Sequence, residues 1–126
     1  MYTVSNEIKQ FVLEEPTFPN SRWFVLNANI GSVYLRRGTR KVDGSRRKFI
    51  TIANVQIKEK YRGKRLFSLF VQELQELIKN TNYVGLYAEC VSSVILQSYF
   101  TRHGWNTDHN YLDGTDVVEY NYWLVI

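Results

Sequence analysis

The run Ile57-Lys58-Glu59-Lys60-Tyr61-Arg62-Gly63-Lys64-Arg65 joins a strand-like segment to the start of a long amphipathic helix. A strand, a basic turn and a helix N-terminus in that order aim free backbone amides, a positive helix end and cationic side chains at one point, which suits a pyrophosphate. Neither a GxxxxGK(S/T) loop nor a GxGxxG turn is present, so a Walker loop and a dinucleotide-binding strand-turn-helix are excluded. Glu89 is the one acid in the run 83–91 and shares a face with Tyr87 and Val91. It is either a base in a cleft or a carboxylate paired with an arginine at a sheet end. Cys90, on the opposite face with Leu86 and Ala88, reads as a small buried hydrophobe, and no nucleophilic triad is assigned. His103 and His109 read as a helix C-terminal cap and a loop residue, and no metal site is expected.

These groups need elements to carry them. Ser5 caps a helix through about Glu15, with Ile8, Phe11 and Val12 on one face, before Pro16 and Pro19 end it. The β-rich runs 22–27 and 32–37, the turn Val42-Asp43-Gly44-Ser45 and the run 47–57 predict an antiparallel meander. In its last strand Ile50, Ile52, Asn54 and Gln56 share one face and Thr51, Ala53, Val55 and Ile57 the other, as expected of a central strand. Leu66, Phe67, Phe70, Leu74, Leu77 and Ile78 recur at helical spacing over 66–80. A buried strand over 83–91 then implies a parallel right-handed crossover. Ser92 or Ser93 caps a helix that Gly104 stops after His103, and 117–126 is a final β-prone run.

With 126 residues and 44% apolar content, one domain over 1–126 is expected. No apolar run reaches membrane-spanning length, and Met1–Leu13 mixes polar residues into its apolar positions, so a soluble cytoplasmic chain is expected. A single cysteine allows no internal disulfide. The formal charge of +4 is unevenly spread: residues 36–65 hold 12 of the 16 Lys and Arg against Asp43 and Glu59 alone, leaving the remainder net acidic. Such a segment either focuses a field on an anionic ligand or is a solvated hairpin.

The turn 57–64 resembles the signature of the GCN5-related N-acetyltransferases, which runs Gln or Arg, two residues, Gly, one residue, Gly or Ala. Tyr99-Phe100-Thr101-Arg102-His103-Gly104-Trp105 is similar to that family's helix ending of Tyr, three residues, Gly and an aromatic residue. The likeness covers about residues 47–106. It implies a mixed α+β domain with a mostly antiparallel central sheet, a splayed parallel strand pair and helices on both faces. Acetyl-coenzyme A is the implied co-substrate, its pantetheine along Val55, Gln56 and Ile57 and its pyrophosphate on the amides of Arg62, Gly63, Lys64, Arg65, Leu66 and Phe67. Ser93 stands where the family often has Asn. The implied acceptor is an amine, on a protein or other macromolecule rather than a small metabolite, and the basic arm suits an acidic target surface or nucleic acid.

Acetyl transfer needs a neutral amine and a protonated leaving thiol. The family's donor position, four residues before the glycine, falls on Phe100, while Tyr99 is one step and about 100° away. Tyr99 and Glu89 are therefore the candidate acid and base, beside the alternative that Tyr99 and Phe100 both pack beneath the sheet. No carboxylate lies between Phe49 and Ile57, which leaves Asn54 and Gln56 to orient a water. Arg65 and Phe67 replace small residues of the usual turn, and Arg65 would supply charge where backbone access is lost. The alternative function is a catalytically inactive module contacting nucleic acid or an acidic protein through 36–65. A third is transfer from a different coenzyme A thioester.

Overall fold

The computed structural model describes residues 5–14, 19–63, 65–111 and 118–126, with the backbone alone described at 108–111 and 118. Local rules explain its first helix. Ser5 accepts from the Ile8 amide at 3.2 Å and opens α1 (Asn6–Leu13), whose Ile8, Phe11 and Val12 are buried. The meander follows as β1 (Ser21–Val25), β2 (Gly31–Val42) and β3 (Ser45–Ile57), with Asp43 and Gly44 both at positive φ in the tight turn between the last two. β3 leads through the turn at 58–65 into α2 (Leu66–Ile78), then β4 (Gly85–Ala88), α3 (Val94–Arg102), β5 (Asn106–Tyr111) and β6 (Val118–Val125). The sheet order is β1-β2-β3-β4-β6-β5. Among the described strands only the β3–β4 pair is parallel, and α2 is its crossover. This is the mixed α+β architecture that the sequence predicts. No described helix is long and apolar enough to cross a membrane.

The helices are unevenly placed over the sheet. Buried side chains of α1, α2 and α3, including Phe11, Phe70, Leu74 and Phe100, all join one core with Val33, Leu35, Ile50, Ile52, Leu86, Ala88 and Tyr122. A smaller cluster, Val42, Phe49, Tyr87 and Trp123, occupies the opposite face, and no described helix residue belongs to it.

β5 was not expected from the sequence, because Asn-Thr-Asp-His-Asn-Tyr has no apolar alternation; it forms by antiparallel pairing with β6. The face assignment of β3 also needs correction. Tyr34 pairs with Asn54 but Leu35 with Ile52, so Ala53 is an extra, bulged residue. The bulge reverses the alternation, and Ile50, Ile52, Val55 and Ile57 all pack into the main core while Asn54 and Gln56 are exposed. A one-residue slip of this kind moves every later side chain to the other face.

Arg37 changes the meaning of the basic segment. It is 7% exposed, donates to the Phe11 and Pro19 carbonyls at 3.0 Å each, and lies over the Phe11 ring. This cation ties α1 to the sheet instead of facing a ligand. The hollow beside it, about 200 Å³ between Glu7, Gln10, Phe11, Glu14, Pro19, Arg22 and Arg37, shares no residue with the cleft between β3 and β4.

Candidate active site

Two local devices separate β3 from β4. On β3 the bulge at Ala53 interrupts the regular ladder just past Ile52. On the other wall, the Glu89 amide makes a last bond to the Ile52 carbonyl, 3.2 Å, and Cys90 then turns in the left-handed region at φ +52°. The Cys90 amide donates to Asn121 Oδ1 at 2.9 Å and the Val91 amide to the Tyr120 carbonyl at 2.8 Å, so the chain after β4 follows β6 away from β3. β3 continues to Ile57, paired to β2 on one side and with no described strand on the other. The result is a cleft of about 270 Å³ lined by Ile52–Val55 on one wall and Ala88–Ser93 on the other, with Phe67, Leu96 and Phe100.

The turn at 58–65 keeps the geometry of an anion loop despite its sequence. Gly63 has φ +75°. Arg65, the N-cap of α2, has φ 60° and ψ 17° and makes no side-chain capping bond. A non-glycine residue there costs roughly 1–2 kcal/mol. The arginine thus retains the backbone path that glycine would take, and the first amides of α2 have no side-chain cap. Arg62 donates through Nε to the Ile57 carbonyl at 2.9 Å, so it fastens the end of β3 to the turn. Leu66 and Phe67 lie in the first turn of α2. Lys64 lies outside the described residues.

The remaining candidates divide by position. Val55 lines the cleft on the stretch of β3 that no described strand pairs, while Gln56 and Ile57 continue that stretch without being among the lining residues. Ser93 lines it too, and its Oγ caps α3 by accepting from the Leu96 amide at 3.3 Å. Glu89 lines the cleft and accepts from both Arg36 and Arg40, an arrangement in which its side chain is only 12% exposed. Phe100 faces the cleft, and Tyr99 is not among the lining residues. Tyr99 packs edge-on against Phe67 and Phe100 and bonds Ser68; burial raises its phenol above the usual range, and the Ser68 bond acts in the opposite direction. His103 closes α3, with Nδ1 2.8 Å from the Tyr99 carbonyl, while the His109 side chain lies outside the described residues.

Cys90 corrects the reading of a buried hydrophobe. It is exposed, lines the cleft, and its thiol lies 3.2 Å from Glu119 Oε1. Glu119, which was not singled out in the sequence, is close to Cys90 only through the β4–β6 pairing. Burial, followed by the Glu119 hydrogen bond and charge, pushes the thiol up to about 11. The thiolate is therefore scarce at neutral pH and grows as pH rises toward that value. At pH about 7.5, alkylation by iodoacetamide should run roughly tenfold or more slower than for a cysteine of ordinary pKa near 8.5, the loss of thiolate being partly offset by the greater nucleophilicity of a more basic thiolate. Glu119→Gln should speed it, and an unmodified wild-type rate equal to that of free cysteine would contradict the Cys90–Glu119 contact.

This strand-bulge-turn-helix arrangement is the fold of the GCN5-related N-acetyltransferases. Structures sharing it include a protein described as streptothricin acetyltransferase from Bacillus anthracis in complex with acetyl coenzyme A, with 18% identity and TM-score 0.62 over 86% of this chain and 64% of that one. Arabidopsis thaliana NAA60 in complex with a bisubstrate analogue matches with 14% identity and TM-score 0.57 over 77% and 65%. The KacTA–DNA complex matches with 14% identity and TM-score 0.57 over 96% and 82%. The chain spans about 65% of the length of the first two. No protein-family model and no curated protein matches the sequence.

Proposed function

We propose that this chain is an N-acetyltransferase, acting as a single domain, that moves the acetyl group of acetyl-coenzyme A to an amine on a protein or other macromolecule. The observation that carries the reading is the free edge of β3, which runs from the bulge at Ala53 toward a positive-φ turn and an uncapped helix N-terminus. An extended pantetheine can add to such an edge by backbone hydrogen bonding, and a pyrophosphate fits the helix start. The complexes of fold neighbours with acetyl coenzyme A and with a bisubstrate analogue support the same co-substrate.

Bound there, acetyl-coenzyme A supplies the activated acyl group. The protein's part is positional and electrostatic. Glu89 is the one carboxylate among the described residues lining the cleft, and Arg36 and Arg40 fix it on the wall. A carboxylate has further lone pairs with which to orient an ammonium and take its proton. Phe100 cannot donate. Tyr99 lies one layer back, bonded to Ser68, and neither residue is among those lining the cleft. Water can protonate a leaving thiolate of pKa near 8.5.

A second reading, a module of this fold that does not transfer acetyl, is favoured by the phenylalanine at position 100. Calorimetry with acetyl-coenzyme A and incubation of the protein with labelled acetyl-coenzyme A and a cell lysate separate the two. Micromolar binding with label on macromolecules is expected. Absence of binding at high micromolar ligand defeats the enzyme reading, and tight binding with no labelled product in any fraction establishes the second.

A further inference from the structure

β4 leads into a bulge of its own, across the cleft from the one at Ala53. The Ile126 amide donates to the Val84 carbonyl at 2.9 Å, and the antiparallel ladder runs on through Leu86↔Leu124 and Ala88↔Tyr122. Hydrogen-bonded pairs in such a ladder recur at every second residue, so the next would bring the Cys90 amide to the Tyr120 carbonyl. The Val91 amide takes that carbonyl instead, at 2.8 Å. Cys90 and Val91 therefore stand together against Tyr120, and Cys90, at φ +52°, is the extra residue.

This bulge decides what the wall presents to β3. The Glu89 amide bonds the Ile52 carbonyl, and alternation would aim the Val91 amide the same way. It is turned to β6 instead, with the Val91 side chain packed in the main core. Across the cleft, the Lys58 amide bonds the Ile30 carbonyl, so the Val55 and Ile57 amides point away from β2, to the side that no described strand pairs.

The turn leaves the Cys90 amide without a ladder acceptor, and Asn121 supplies one. Its Oδ1 lies 2.9 Å from that amide, and the residue is 1% exposed in the middle of β6. A side-chain amide buried in a strand costs free energy unless it is hydrogen-bonded, and Asn is a poor strand former besides. Glu119, two residues earlier on the same face, accepts from the Cys90 thiol. β6 thus grips the bulged residue by its backbone and by its side chain.

We infer that Asn121 is a positioning residue for acetyl-coenzyme A, its carboxamide oxygen holding the chain after β4 in the bulge that keeps the unpaired stretch of β3 open. Without that oxygen the Cys90 amide regains a partner by taking back the Tyr120 carbonyl. The Val91 amide then returns to the β3 side, and the two walls pair where the pantetheine is proposed to add. Burial of Val91 favours the bulge as well, so the variants alter the Asn121 oxygen and leave Val91 in place. The role of acetyl-coenzyme A here rests on the proposed function; the strand geometry does not.

Amide hydrogen exchange at Val55 and calorimetry with acetyl-coenzyme A are compared in the wild type and Asn121→Leu. Asn121→Ser, whose hydroxyl stops short of the Cys90 amide, serves should the leucine variant not fold. In the wild type the Val55 amide should exchange quickly, and acetyl-coenzyme A should slow it. Asn121→Leu should slow Val55 exchange at least about tenfold with no ligand present and raise the dissociation constant about tenfold or more. An asparagine with a purely structural role would, on removal, lower the melting temperature and speed exchange across β4 and β6, leaving Val55 as it was. The inference fails if the folded variants exchange at Val55 like the wild type. Protection at Val55 with unchanged affinity also overturns it, placing the pantetheine elsewhere. Wild-type protein that binds no acetyl-coenzyme A defeats the enzyme reading, and Val55 exchange still decides whether Asn121 holds the strands apart.

Discussion

Gly63→Glu will raise the dissociation constant for acetyl-coenzyme A at least about 100-fold, a loss of about 2.7 kcal/mol. Two effects add. Gly63 sits at φ +75°, where a side chain costs roughly 1–2 kcal/mol of backbone strain that the loop can avoid only by leaving its present path. The new carboxylate then stands two residues before the N-cap of α2, facing the same phosphates that the helix end attracts. Steric collision is not part of the effect, because a Cβ at this position meets no atom within 4 Å. Gly63→Ala separates the two contributions: it keeps the strain without the charge and should weaken binding by no more than about 30-fold, the most that about 2 kcal/mol of strain can carry. Calorimetry on both folded variants decides. Wild-type affinity in the glutamate variant would show that the phosphates sit elsewhere, and the free edge of β3 would then need another ligand.

The largest loss of stability is expected from Gly85→Ala, roughly 4 kcal/mol or more in denaturant unfolding. A Cβ on Gly85 would lie 1.9 Å from the Leu124 carbonyl oxygen, a backbone atom that no change of rotamer can move. β4 and β6 must then part at Gly85↔Val125 and Leu86↔Leu124, the first two links of a pairing that spans only four residues of β4. That pairing also fixes the direction in which Glu89 and Cys90 leave β3, so loss of acetyl-coenzyme A binding should accompany loss of stability. Gly85→Ala with wild-type unfolding would show that β6 lies further from β4 than described.

Arg65 and Cys90 show how differently two non-glycine residues at positive φ reach the site. At Arg65 the backbone takes a glycine-like conformation within a loop whose role was visible from the order strand, basic turn, helix. At Cys90 it bends the chain out of β4, an event for which the run Tyr83–Val91 gave no warning, since every residue in it is compatible with a longer strand. The bulge at Ala53 is equally silent in sequence. It appears only when β3 is paired to β2 and one residue is left over.

Within a few residues, then, side-chain chemistry was sufficient. Ser5 and Ser93 cap the helices they were expected to cap, Asp43-Gly44 makes the hairpin turn, and the apolar spacing of 66–78 makes α2. Each of these depends on neighbours along the chain, and their free energies are local. The splay between β3 and β4, the burial of Arg37, the clamping of Glu89 by arginines 53 and 49 residues away, and the meeting of Cys90 with Glu119 across 29 residues all depend on register between distant strands. Register is a sum over many weak pairings that no short window contains, so the sequence determined that a basic strand-turn-helix exists, and tertiary pairing alone decided which groups face the cleft it opens.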